Sequence, residues 1–212
     1  MQHRGRSSRR GSVAASTKPT VSIDQSENPA MRRFGQTAHV GTMYFLEMQL
    51  EELSLEHQDA FLLMCADYAK DKTAPDLYKK ITNAKEFQAL VKKCEKERMD
   101  WRPKAGKISQ TRYVLMDQNE ICANGLMRFP LTPELEKSGG HLLFDVPPAK
   151  RKQGYGALTL NRMLFEAVRA GLARAFVSCD TQHIAARKII EKNRGELESE
   201  TDGLARYWIR FR

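Results

Sequence analysis

The stretch Leu142–Leu158, LLFDVPPAKRKQGYGAL, constrains the fold more than any other part of the chain. Leu142 to Val146 reads as a strand, Pro147 and Pro148 end it by withdrawing two N–H groups, and from Ala157 onward the apolar residues fall at helical spacing. Between them lies a basic glycine loop. Gly154 and Gly156 can adopt backbone angles that expose consecutive N–H groups, the following helix turns its positive end to the loop, and Lys150, Arg151 and Lys152 add formal charge. The expected occupant of such a cradle is an anion, and in particular a pyrophosphate.

A dinucleotide fingerprint would also place glycines after a strand, and Asp180, at the end of a later strand, even supplies an acid at a suitable distance. Two features speak against it. Pro147 to Gln153 separate the strand from the first glycine, too many residues for a tight turn, and Thr159 stands where the third glycine of GxGxxG belongs. The absence of GK[ST] excludes a nucleoside-triphosphate loop more firmly.

The elements around the loop follow from periodicity. Met43–Leu50 alternates weakly and is the first expected strand. Ser54 caps a helix whose Phe61, Leu62, Cys65, Tyr68 and Ala69 share one face. Lys72–Asp76 reads as a turn, and Asn83 caps a second helix that buries Phe87, Leu90, Val91 and Cys94. Thr111–Met116 and Ile121–Met127 flank a short polar break and form a hairpin. A loop containing Pro130, Pro133, Gly139 and Gly140 leads to the strand of the cradle. After it come a helix ending at Gly171, a buried strand at Ala175–Cys179, and a helix capped by Asp180 or Thr181 with Ala186, Ile189 and Ile190 inward. Two strands, Glu196–Glu200 and Arg206–Phe211, complete the chain.

Arg151-Lys152-Gln153-Gly154-Tyr155-Gly156-Ala157 resembles the (Q/R)xxGx(G/A) acyl-CoA loop of the GNAT acetyltransferases, preceded by a strand and a Val-x-Pro-like exit. The segment Val177–Gly195 resembles that family's next strand and helix. Gly139-Gly140-His141 and Tyr207-Trp208-Ile209 are similar to motifs of a group of predicted bacterial acetyltransferases. The resemblance spans about residues 43–211 and implies an α/β (α+β) fold with a mixed, mostly antiparallel central sheet flanked by helices. It divides the chain into a basic tail, 1–33, and an acyl-CoA N-acyltransferase domain, 34–212.

The implied co-substrate is acetyl-CoA, with no metal, and the implied reaction is acetyl transfer to an amine, of a small molecule or a protein, by direct attack in a ternary complex. The resemblance assigns the cofactor to Phe144 and Val146 on the strand, to Arg151, Lys152, Gln153, Gly154, Tyr155, Gly156 and Ala157 in the loop, and to His183 and Ala186 on the next helix. Two positions depart from the family pattern. His183 stands where an asparagine often touches the CoA arm, and Ile190 stands where many members carry the tyrosine that protonates the leaving thiolate. Either another group or water serves as the acid, or none is needed, because a CoA thiolate has the pKa of an ordinary thiol and leaves readily without one.

The attacking amine must be neutral, which calls for a base near the thioester. His141 and Asp145 are the catalytic candidates, expected on one side of the strand because they are four residues apart, and His141 is favoured because it titrates near neutral pH. Glu47, Glu51 and Glu52 are candidates for attracting a cationic acceptor. Cys65, Cys94, Cys122 and Cys179 show no metal spacing and read as reduced thiols, with Cys122 and Cys179 expected in the core rather than as nucleophiles.

Charge bears on the remaining alternatives. The formal net charge is +9, but Arg4, Arg6, Arg9, Arg10 and Lys18 contribute +5 of it within an acid-free stretch of low apolar content, so the basicity is mostly a tail property. The tail reads as a solvated extension, a transit segment, a nucleic-acid arm or a kinase-accessible Arg-Arg-Gly-Ser at Ser12. No nucleic-acid partner is expected except through it. No run of apolar residues is long enough to span a membrane, and a cytoplasmic location is expected. A homodimer remains open, as do two other functional classes: a CoA-binding module without activity, suggested by Ile190, and a nucleic-acid-associated protein acting through the tail.

Overall fold

The computed structural model describes residues 48–72, 74–98 and 108–211. The basic tail and the part of the first expected strand before Met48 lie outside them. Among the described residues, seven strands and six α-helices follow in chain order: β1 (Gln49–Glu52), α1 (Gln58–Tyr68), α2 (Asp76–Lys80), α3 (Ala84–Glu97), β2 (Ser109–Asp117), β3 (Glu120–Phe129), α4 (Pro133–Lys137), β4 (Leu142–Asp145), α5 (Tyr155–Arg169), β5 (Arg174–Asp180), α6 (Ile184–Lys192), β6 (Glu196–Thr201) and β7 (Leu204–Arg210). Single 3-10 turns precede α1 at Leu55–His57 and α5 at Pro148–Lys150.

The strands form two sheets, β1-β2-β3-β4 and β5-β7-β6, and every paired neighbour is antiparallel. β4 and β5 are therefore both edge strands, and they meet only at the start of β4. There Gly140 bridges Val177, the His141 N–H donates to the Phe176 carbonyl at 2.8 Å, and the Gly139 N–H donates to the Ser178 hydroxyl at 3.0 Å. Gly140 is required at this junction. Its φ is +86°, and a Cβ would lie 2.4 Å from the Phe176 carbonyl oxygen. Beyond the junction the two edges diverge.

Helices cover both faces of the four-stranded sheet. Strand alternation sends Val114 toward α1–α3, where it meets Phe61, Met64, Tyr68, Tyr78, Phe87 and Val91. Tyr113, Met127 and Leu142 face the other way into a core with Leu160, Met163 and Ala167 of α5. That second core continues to Val177, Ile190, Tyr207 and Ile209, so α5 holds the two sheets together through apolar burial. Thr159 is fully buried within α5 and returns its hydroxyl proton to the Tyr155 carbonyl at 2.8 Å, as a buried donor must.

Several expectations change. A short helix, α2, directly follows the segment read as a turn, and the segment read as a loop contains α4, capped by Thr132, whose Oγ1 accepts from the Leu135 N–H. The cap of α6 is His183, whose Nδ1 accepts from the Ala186 N–H at 3.0 Å, while Asp180 accepts from Gln182 in the preceding turn. His141 lies before β4 starts, next to two left-handed glycines, so the two-residue alternation that would have set it beside Asp145 does not reach it.

Candidate active site

The divergence of β4 and β5 opens a cleft of about 900 Å³. One wall is Leu142–Val146 and the other Val177–Asp180, with Ala185, Ala186 and Lys188–Ile190 of α6 along one side. Lys150–Lys152 and Gly154–Ala157 form its mouth at the start of α5. Gly154 holds φ +92° and acts as the N-cap residue, the left-handed turn that aims the first turn of α5 at the cleft. Gly156 packs so tightly that a Cβ would lie 2.9 Å from Ile189 Cδ1 and 3.4 Å from Val146 Cγ2.

Of the residues assigned to a cofactor, Phe144, Val146, Arg151, Lys152, Gly154, Tyr155, Gly156, Ala157, His183 and Ala186 all line this cleft. Gln153 does not; its side-chain amide instead donates to the Ala149 carbonyl at 3.1 Å. The basic residues divide. Lys150 pairs with Glu120, and Arg151 pairs with Asp71 at 2.7 Å while donating to the Val146 carbonyl. Lys152 makes no ion pair among the described residues, nor does Lys188 of α6, a cleft cation that sequence reasoning missed. Asp67 accepts from the Ala149 N–H at 2.9 Å, so the end of α1 is latched to the loop twice.

Asp145 ends β4 opposite Asn124 and reaches the cleft. Its carboxylate accepts from the Tyr68 hydroxyl, from the Tyr78 hydroxyl at 2.7 Å and from the Asn124 amide at 3.3 Å. Tyr68 and Tyr78 stack with ring centroids 4.4 Å apart. Burial pushes the Asp145 pKa up, and the three donors pull it part of the way back. Burial first, and then the neighbouring carboxylate, raise both tyrosines, so their hydroxyls stay protonated and donate. Neither tyrosine was singled out for this role from the sequence: Tyr68 reads as part of a core stripe, and Tyr78 follows a segment read as a turn.

His141 is outside the cleft lining. It is 8% exposed, its Nδ1 accepts from the Phe176 N–H at 2.9 Å, and its ring lies beside Phe129 and Trp208. Burial, with a smaller push from Arg174, lowers its pKa from 6.5 to about 4. The neutral ring favoured in the folded state contributes stability that is complete above pH 6.5 and lost as pH falls toward 4, on the order of 3 kcal/mol at most. Chemical unfolding should show this decline across that interval, and His141→Gln should flatten it relative to the wild type.

The other candidates are engaged elsewhere. Glu51 pairs with His57 and Glu52 with Arg98, and neither lines the cleft; Glu47 is outside the described residues. Cys122 is buried, whereas Cys179 is half-buried and lines the cleft; burial raises both thiols, which disfavours a thiolate nucleophile. No group of metal-binding side chains occurs among the described residues, and no described helix is long and apolar enough to cross a membrane.

No protein-family model matches the chain, and no curated protein sequence matches it. Solved structures do. RimL, the ribosomal L7/L12 alpha-N-protein acetyltransferase in complex with coenzyme A, aligns with a TM-score of 0.57 at 15% identity over 77% of this chain and 93% of its own. The microcin C7 self-immunity acetyltransferase MccE, in complex with acetyl-CoA and AMP, gives 0.57 at 11% over 78% and 93%. An acetyltransferase of the GNAT family from Streptococcus pneumoniae gives 0.51 at 13% over 76% and 96%. At these identities the likeness establishes architecture, and the chain has the fold of GNAT acetyltransferases.

Proposed function

We propose that the protein is an acetyl-CoA-dependent N-acetyltransferase that works by direct attack of an amine on the bound thioester. The observation carrying this reading is the pair of facing sheet edges, β4 and β5, with the N-terminus of α5 at their mouth. An edge strand offers unpaired N–H and C=O groups, suited to the amide chain of pantetheine along Phe144, with Val146, whose carbonyl is engaged by Arg151, lining the cleft just beyond the strand. The first turn of α5 with Lys152 suits the pyrophosphate, and Lys188 adds a second cation within the same cleft. Crystals of similar proteins that hold CoA or acetyl-CoA support the same choice.

Asp145 is the proposed base. Its raised pKa makes it a better proton acceptor than an exposed carboxylate, and the tyrosine and asparagine donors fix its orientation. In the transfer, the amine nitrogen bonds to the thioester carbonyl carbon, a proton passes from nitrogen to Asp145, and the carbon–sulfur bond breaks. The electron pair leaves on CoA sulfur, which takes a proton at the end of the cycle. Ile190 supplies no proton, in keeping with a leaving group that needs none. His141, held by Phe176, is proposed to fix the sheet junction instead of accepting the proton.

The test is thiol release from acetyl-CoA across a panel of primary amines. Saturable release that depends on both acetyl-CoA and an amine supports the reading; acetyl-CoA binding with no release on any amine would replace it with a binding module.

A further inference from the structure

Asp145 is one end of a longer polar row on the sheet face turned toward α1–α3. By register, Asn124 sits opposite Asp145; one step along, Leu143 faces Leu126, and Leu126 faces Arg112; one step further, Arg128 faces Gln110. Alternation puts all of these side chains on one face. Arg112 and Arg128 are thus diagonal neighbours on adjacent strands, close enough to interact electrostatically.

Both arginines are half-buried, and neither makes an ion pair among the described residues. The Nε of Arg112 is enclosed by protein with no acceptor. Arg128 donates only weakly, to the neutral Gln110 side chain at 3.4 Å. Glu97, the carboxylate that α3 brings to Gln110, is taken by that amide at 2.7 Å and by Lys93 at 3.8 Å. Burial and the Arg112 charge both depress the Arg128 pKa, the mark of two cations sharing a partly desolvated place. The Arg112 charge is felt at the Asp145 carboxylate and at the Cys94 thiol, yet its Nε stays unsatisfied and Arg128 has only a neutral partner among the described residues, so two neighbouring, partly desolvated cations keep donors suited to an oxyanion.

We propose that the acceptor is a bifunctional amine, with its amino group at Asp145 and an oxyanion, carboxylate or phosphate, on Arg112 and Arg128. This rests on the reading of Asp145 as the reacting end. Strand spacing puts the Asp145 and Arg112 Cα atoms about 12 Å apart, and the reach of the arginine reduces the amine-to-oxyanion span to roughly 6–9 Å. Leu126 and Leu143, both partly exposed, lie between the two ends and suit a short apolar spacer.

The experiment uses the full chain saturated with CoA and matched ligands followed by calorimetry: 6-aminohexanoate against 6-aminohexanamide, and 3-aminopropyl phosphate against 3-aminopropanol. At least one anionic member should bind about tenfold or more tightly than its neutral partner, with the preference falling as salt rises and vanishing in Arg112→Gln and Arg128→Gln. Which pair discriminates identifies the oxyanion. Equal affinity within both pairs, no binding of either anionic ligand, or a preference that survives in the double variant overturns the proposal. CoA titration of the same variants should give the wild-type affinity. Loss of CoA binding in the wild type would instead refute the cofactor reading, and anion preference without thiol release would refute acyl transfer while leaving the arginine site in place.

Discussion

Asp145→Asn should retain the fold and the affinity for acetyl-CoA while lowering acetyl transfer near neutral pH by about 10²–10⁴-fold. The substitution preserves the size and planarity of the side chain, so Tyr68, Tyr78 and Asn124 keep a polar neighbour, but it removes the proton acceptor. Activity of the wild type should rise with pH through the raised Asp145 pKa, because the carboxylate is the working form, and that limb should be missing in the variant. Tyr78→Phe provides a finer comparison. Losing one donor weakens the hold on the carboxylate, so burial dominates further and the acidic limb should move to higher pH. An Asp145→Asn enzyme with wild-type kcat would remove Asp145 from the chemistry.

The second large effect is expected at the mouth of the cleft. Gly156→Val places branched methyl groups where a single Cβ already meets Ile189, Val146 and Phe144, the three side chains at the junction of α6, β4 and the first turn of α5. Overpacking of this kind costs about 1–3 kcal/mol. If the strain is relieved by displacing the first turn, acetyl-CoA affinity falls by about 5–150-fold, the equivalent of that cost in binding. Gly156→Ala should be milder, because the nearest atom is the mobile end of Ile189, and Ile189→Val in the same chain should recover part of the loss. Calorimetric Kd values for the three variants, beside their unfolding midpoints, separate strain in the cradle from loss of the fold.

What was legible in the sequence was mostly local. The strand, proline break, glycine loop and helix from Leu142 to Arg169 form by short-range rules, and the cap at Asn83 follows from side-chain chemistry three residues away, whereas Ser54 caps the 3-10 turn before α1 and the N-cap residue of α1 itself is His57. The carboxylate cluster was not legible as a cluster. Tyr68 and Tyr78 are 77 and 67 residues from Asp145 in the chain, and only the packing of α1 and α2 over the sheet brings them together. The loop cations illustrate the same limit. Lys150, Arg151 and Lys152 are equivalent in the sequence and all line the cleft, yet Glu120 and Asp71, distant in the chain, engage the first two and leave Lys152 without an ion pair among the described residues.

His141 shows how one local break changes an inference. A spacing of four places two residues on the same side only within a continuous strand, and Gly139 and Gly140 end that continuity before Leu142. The imidazole then serves the junction, satisfying the Phe176 N–H, and Asp145 is left facing the cleft with its own donors. β4 and β5 meet at that same junction, and the cleft is lined by the residues beyond it on both strands.

Binding of acyl-CoA in this cleft is read out by calorimetric titration of the full chain with acetyl-CoA. Expected are saturable one-to-one binding, competition by CoA, weakening by salt through Lys152 and Lys188, and a clear loss of affinity in Gly156→Val. Absence of binding at millimolar acetyl-CoA, or binding that Gly156→Val and Lys152→Ala leave unchanged, would contradict it.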